Sequence, residues 1–197
     1  MKKDLTILQG ETFQYIIRWE TSPVVFKAIS GVTLTAPVVL TVDGHGLPNG
    51  WSVAIESVQG TIELNASHTP PWSSDYEKAE VIDANHIRLP NVNASEFSAY
   101  ASGGYIRYNT PQDLSGYTAR MTIKDRVGGT TLLSLTTTNG GIEIDDNAKT
   151  ILLIVEAADT AAITWLRGVY DLELESPGGV VTRLMSGRIM VSDEVTT

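Results

Sequence analysis

The chain has no cysteine, which excludes disulfides, thiolate zinc sites and cysteine nucleophiles together. Basic residues are few: 14 Lys and Arg stand against 23 Asp and Glu, a formal charge of −9. Nonspecific binding to nucleic acid or anionic lipid needs clustered cations, and no basic run extends beyond Lys2 and Lys3. Nucleic acid is therefore not expected as a partner. Long apolar runs are also missing. No segment approaches the ~20 apolar residues of a membrane span, and Met1 to Glu11 contain no apolar stretch of signal-peptide length. Synthesis in the cytoplasm without membrane insertion is the expectation. Charged residues make up 19% of the chain, below the ~25% of ordinary globular proteins.

Catalytic signatures are equally sparse. The three histidines are His45, His68 and His86. A metal site needs converging ligands, often at a spacing such as His-x-x-x-His on a helix, whereas these fall in separate turns and strands. His45 is expected to donate to a turn carbonyl and His68 to be solvated. Asp145, Asp146 and Asn147 could suggest a calcium loop, but the glycine and terminal glutamate of such a loop are out of register; a hairpin turn is expected. Glu173 and Glu175 share one strand face and are expected to point to solvent. No Gly-x-Ser-x-Gly elbow or phosphate-binding loop occurs, and Gly103–Gly104 and Ser186–Gly187 read as turn glycines. No catalytic residue, metal or cofactor is expected, and the chain reads as a non-enzyme.

What is present is a β-forming composition: 42% hydrophobic residues, 17 Gly, and many Thr, Ser and Asn. Period-two alternation marks strands at Thr12–Trp19 and Tyr117–Lys124. Phe13, Tyr15, Ile17 and Trp19 supply one apolar face. Thr21–Pro23 is expected to break the first series, and another runs from Val24 to Val42. Asp43–Gly50, with Gly44, Gly46, Asn49, Gly50 and one proline, reads as a turn between β-rich runs. His45 beside Asp43 in that turn is read as structural. Further strands are expected at Trp51–Val58, Thr61–Leu64, Tyr76–Ile82 and His86–Leu89. Asn65–Asp75 is an irregular loop with paired prolines. Beyond Tyr117 the expected strands include Leu132–Thr137, Thr150–Val155, Val169–Glu175, Val180–Met185 and Gly187–Val191, followed by a polar tail. One short, Ala-rich helix is expected near residues 156–164.

Residues 1–23 supply two strands that cannot bury their apolar face alone. Joined to residues 110–197 they make a sandwich of ordinary size. The expected fold is therefore all-β: an immunoglobulin-like β-sandwich of residues 1–23 plus 110–197, interrupted by a small β-barrel of residues 24–109.

Three segments carry a resemblance: Thr110–Ile123, containing Asp113-Leu-Ser-Gly-Tyr117; Gly168–Leu174; and Gly187–Val191. Together with an opening strand from Leu5 through Gly10 to Thr12, they resemble the immunoglobulin-like N-terminal domain of siphophage upper-baseplate proteins. The middle of the chain is similar to the FCCH-like small β-barrel, a module of phage tail proteins named after a half-domain of ubiquitin-activating enzymes. The matching positions are Val42, His45–Leu47, Gly50, Val53, Leu64–Asn65, Val81, Ile87, Leu89 and Tyr100–Gly104. The loop from Ser67 to Ser74, with Pro70, Pro71 and Trp72, is longer than that pattern. The resemblance implies a virion protein of a tailed bacteriophage, assembled in the host cytoplasm. Its partners would be other virion proteins and copies of itself in a tail, collar, baseplate or fibre adaptor.

Exposed aromatics point to a second reading. Trp72 lies in the irregular loop near Tyr76, and Trp51 follows the glycine-rich turn. Aromatics on loops of β modules often contact partners or sugars. Trp72, Tyr76 and Trp51 are thus the candidate contact residues, and the alternative function is a module that binds a carbohydrate or host receptor, such as a host-surface glycan, through the inserted barrel. Folding back to cap the barrel is the competing role for Trp51 and Trp72. A hydrolase accessory domain is a third and weaker reading. Trp19 and Trp165 are assigned to the sandwich core.

Overall fold

The computed structural model describes residues 1–193; residues 194–197 of the expected polar tail lie outside the described residues. In chain order the strands are β1 Leu5–Leu8, β2 Phe13–Arg18, β3 Glu20–Ala28, β4 Gly31–Thr33, β5 Val38–Thr41, β6 Trp51–Gln59, β7 Glu77–Val81, β8 His86–Leu89 and β9 Ser102–Pro111. They continue with β10 Thr118–Lys124, β11 Thr131–Thr136, β12 Ile142–Asp145, β13 Thr150–Val155, β14 Arg167–Glu175 and β15 Val181–Ser192. A single α-helix among the described residues, α1 at Ala157–Ala161, separates β13 from β14. The protein is all-β. It divides into residues 1–19 with 113–197, and residues 20–112, each with its own apolar core.

The first unit is the sandwich. One sheet has the order β1-β15-β14-β10-β11 and the other β12-β13-β2. Alternation builds both inner faces: Ala119, Met121 and Ile123 of β10 and Leu172 and Leu174 of β14 face Ile151, Leu153 and Val155 of β13 in one buried cluster. Ile17 of β2 is buried there, with Phe13, Tyr15, Trp19 and Trp165 packed around it. All neighbours are antiparallel except β1, which runs parallel to β15. Two such sheets opposed across one core, with the outer strand β1 returned beside the last strand, form a β-sandwich.

Residues Val180–Met185 and Gly187–Val191, expected as two strands, are one continuous strand, β15. Gly187 is not a turn residue, and the reason is its neighbour. Lys3 N–H donates to the Ser186 carbonyl at 2.9 Å, and a Cβ built on Gly187 falls on the Lys3 carbonyl. That carbonyl also accepts the Tyr170 hydroxyl at 2.7 Å. Glycine is required because another backbone crosses directly above it.

The second unit is a seven-stranded antiparallel sheet in the order β3-β9-β6-β7-β8-β5-β4. The two terminal strands of that order are consecutive in sequence. Ile29 N–H donates to Gly104 O and Ser30 N–H to Thr41 O, so the continuous stretch 20–33 serves β9 on one side and β5 on the other. A sheet whose two edges are one bent segment curls round its core, which holds Trp51, Leu40, Ile87, Leu89 and Ile106. This removes most of the open edge that a flat sheet would expose.

Three local expectations are corrected here. The break at Thr21–Pro23 is absent: β3 runs through it, and a register shift between Thr21 and Val24 accommodates the proline. A bulge is where a strand tolerates a residue without N–H. The β segment accordingly begins at Glu20 and extends to Gln112. Thr61–Leu64 is not a strand but a turn of 3-10 helix at Ile62–Leu64. Asn65 fixes it there, accepting from Val58 N–H at 2.8 Å and donating to Val58 O at 3.0 Å. Gly103 and Gly104 lie inside β9, where a Cβ on Gly104 collides with Val58 across the sheet.

Candidate functional site

The turn Asp43–Gly50 is built from its glycines, since Gly44, Gly46 and Gly50 all take positive φ. It carries His45 inward. The imidazole Nδ1 accepts the Leu47 N–H at 3.0 Å, so the neutral ring carries its proton on Nε2, which donates to Asp83 O at 2.8 Å. The His45 carbonyl accepts the Tyr108 hydroxyl at 2.6 Å. His45 is a buried cross-brace between a turn, a hairpin and β9. His45→Ala removes a donor and an acceptor at once and leaves the Leu47 amide without a partner. A loss of about 2 kcal/mol is expected, measured by urea unfolding, with His45→Gln losing less.

The other two histidines are held by carboxylates. His86 Nδ1 lies 2.9 Å from Asp83 across its hairpin. His68, expected to be solvated, is instead anchored: its Nδ1 is 2.9 Å from Asp75 Oδ2, and its ring lies parallel to that of Trp72, with centroids 3.7 Å apart and planes 11° apart. Pro70 and Pro71 reverse the chain between them, which brings positions 68 and 72 together. The 3-10 turn Ser73–Asp75 then returns Asp75 beneath the loop.

Asp75 organises the whole segment. Its carboxylate accepts the Trp72 N–H at 2.8 Å, the Ser67 N–H at 3.2 Å and the Ser67 hydroxyl at 3.1 Å, in addition to His68. Its side chain is 4% exposed. Burial pushes its pKa up, but the hydrogen bonds from Trp72, His68 and Ser67 outweigh that and hold it down to about 2. A carboxyl depressed in the folded state contributes order above its ordinary pKa and loses it as pH falls. The loop is expected to release Trp72 as pH drops from about 4 towards 2, read from the indole NMR signal, and Asp75→Asn should abolish that transition.

The candidate contact residues separate sharply. Trp72 is 62% exposed. Trp51 is fully buried and donates its indole N–H to Asn109 O at 3.0 Å, so it is a core residue and not a surface contact. Gly50 N–H bonds to Ala79 O, which starts β6 at Trp51 and turns its ring inward. Tyr76 is half-buried after the turn, and the bonds and ring contact that order the platform run through Ser67, His68, Trp72 and Asp75. Sequence reading missed His68 and Asp75 as parts of the Trp72 site. The available signal was the spacing of an acid three residues after Trp72 and the proline pair that reverses the loop.

The acidic residues weighed in the sequence, Asp145, Asp146, Glu173 and Glu175, have partners within the chain. Glu173 and Glu175 lie on the outer, solvent-facing side of β14 as expected, where Arg120 bridges them at 2.8 Å and 3.2 Å. Asp145 accepts the amides of Asn147 and Ala148, while Asp146 accepts the Leu114 amide and pairs with Lys149. Among the described residues no three His, Asp or Glu side chains converge as a metal site, and no helix is long and apolar enough to cross a membrane. A second aromatic cluster lies on the outer side of β3, β6 and β9: Phe26 meets Tyr105 edge-on at 5.2 Å, with the Arg107 guanidinium 5.7 Å above its ring and Glu56 beside it. No protein-family model matches the chain, and no curated protein sequence matches it.

Proposed function

We propose that the chain is a non-enzymatic structural component of a tailed-phage virion, in a tail, collar, baseplate or fibre adaptor, acting by subunit assembly and attachment. The segments Leu5–Thr12, Asp113–Tyr117 and Gly168–Leu174 support the phage reading through their resemblance. One structural observation supports assembly. β2 is the last strand of the three-stranded sheet, and Ile16 on its outward face is 60% exposed. Ile16 lies directly beside Leu152 of β13, with Ile154 two residues along on the same face. An outward apolar row ending at a strand whose outer edge has no partner strand among the described residues is the kind of surface a neighbouring subunit covers.

Other virion proteins and further copies of this chain are the partners. The test combines sedimentation of the purified protein over a wide concentration range with mass spectrometry of intact particles. Self-association is expected, and Ile16→Glu should weaken it at least about tenfold without lowering the thermal midpoint. A monodisperse monomer at high concentration that is absent from particles would overturn the reading.

A further inference from the structure

We propose that the loop 65–76 is a carbohydrate-binding site, in which the open face of Trp72, backed by His68, receives one neutral pyranose ring of a glycan. This inference does not rest on the assembly reading and concerns a different part of the chain.

The first observation is order without burial. An exposed indole on a Pro-Ser loop should be free to rotate. Here it is fixed from behind by a parallel imidazole at 3.7 Å, and its own amide is held by Asp75 at 2.8 Å. Asp75 in turn holds His68 and Ser67. The loop is therefore ordered before any ligand arrives, and the entropy of immobilising a large ring is already lost on folding. One face of Trp72 is covered by His68. With 62% of the residue still exposed, the opposite face is open to water.

The second observation is the charge of the surroundings, which selects the ligand. Residues 65–76 contain no Lys, no Arg and one carboxylate, Asp75. That carboxylate is nearly buried and accepts four hydrogen bonds from its own loop. Within the loop no Lys or Arg is offered to an anionic ligand and its one carboxylate is engaged, while Glu63 and Glu77 line a hollow with Ser67, Ser74 and Asp75 and further disfavour an anion. The exposed residues nearest Trp72 in sequence are neutral and hydroxylic: Thr69, Ser73 and Ser74. A rigid aromatic face bordered by uncharged hydroxyls suits a ring that is apolar on its C–H face and polar at its rim. A flat protein surface needs a broader apolar patch.

The test is an array of neutral hexose and N-acetylhexosamine oligosaccharides, with sialylated and sulfated glycans and an Arg-rich peptide as charged comparators. Titration with the best neutral oligosaccharide, followed by the Trp72 indole NMR signal, then measures affinity. Saturable binding to a neutral glycan is expected, at least about tenfold weaker for Trp72→Ala with an unchanged thermal midpoint. His68→Ala should weaken it by a smaller factor and shift the free Trp72 signal. Trp72→Tyr retains a smaller platform and should bind measurably, which keeps the test decisive if the alanine variant is unstable. Absence of neutral-glycan binding, equal binding by Trp72→Ala, or preference for a charged glycan or the peptide would overturn the proposal. Ile16→Glu should leave glycan affinity unchanged, so failure here and failure of the assembly reading are separable.

Discussion

Trp51→Ala is expected to destabilise the unit of residues 20–112 by about 3–5 kcal/mol. Trp51 is fully buried at the start of β6, opposite Ala79 of β7, in the core that holds Leu40, Ile87 and Ile106. Removing the indole leaves a cavity that strands pinned on both sides cannot close. It also leaves the Asn109 carbonyl without its donor. Trp51→Phe keeps most of the volume and should cost about 1–2 kcal/mol, chiefly from the lost hydrogen bond. Trp72→Ala, at an exposed position, should stay within about 0.5 kcal/mol. Urea unfolding followed by far-UV circular dichroism separates these three results. Two units with separate cores call for a fit that allows two transitions. A Trp51→Ala protein as stable as the parent would show that the ring does not fill the core.

Gly187→Ala is expected to destabilise the sandwich by about 3–5 kcal/mol, because the new methyl group and the Lys3 carbonyl demand the same space. The cheapest relief is for β1 to leave β15. That exposes Leu5 and Ile7, both buried in the sandwich core, at about 1.5–3 kcal/mol for each side chain. It also strips Lys3 O from the Tyr170 hydroxyl, which burial keeps protonated by raising its pKa. Hydrogen exchange gives the sharpest measurement: amides of Leu5–Leu8 should lose protection in the variant while those of β10 and β14 keep theirs. Unchanged protection at β1 would mean that the strand yields without detaching.

Much of the architecture is legible in residue patterning, and the exceptions have a common cause. Alternation in β10, β13 and β14 identifies their inward faces, because a strand with one wet face and one dry face must repeat with period two. The Ala-rich segment between β13 and β14 breaks that period, and α1 forms there. The hairpin of β7 and β8 follows from its Asp83–Asn85 turn. The failures lie where a neighbouring chain segment decides. Gly187 and Gly104 look like turn residues, yet each sits in a strand because another backbone or side chain passes within contact distance. Pro23 looks like a terminator, yet β3 bulges there against β9 and takes it. Thr61–Leu64 has strand composition, but the Asn65 side chain captures the Val58 backbone and winds the segment instead.

The candidate site divides in the same way. Trp51 and Trp72 both follow turn signals. Alternation into β6 buries the first, whereas the second stands in a Pro-Ser stretch with no period to place it. That His68 stacks on Trp72, and that Asp75 holds both, depends on how two prolines reverse the loop.

By itself, the sequence determined the all-β class, the inward faces of the principal strands, the short helix, and the lack of any cysteine in the chain. These are consequences of composition and of period, which are local. Tertiary structure alone decided the order of strands in each sheet, the curling of the second sheet through the bent segment 20–33, the buried role of Trp51 and the joining of His68, Trp72 and Asp75. Each of those depends on contacts between residues distant in sequence or on a chain reversal, and such contacts are selected by the packing of the whole unit rather than by any one segment's propensity.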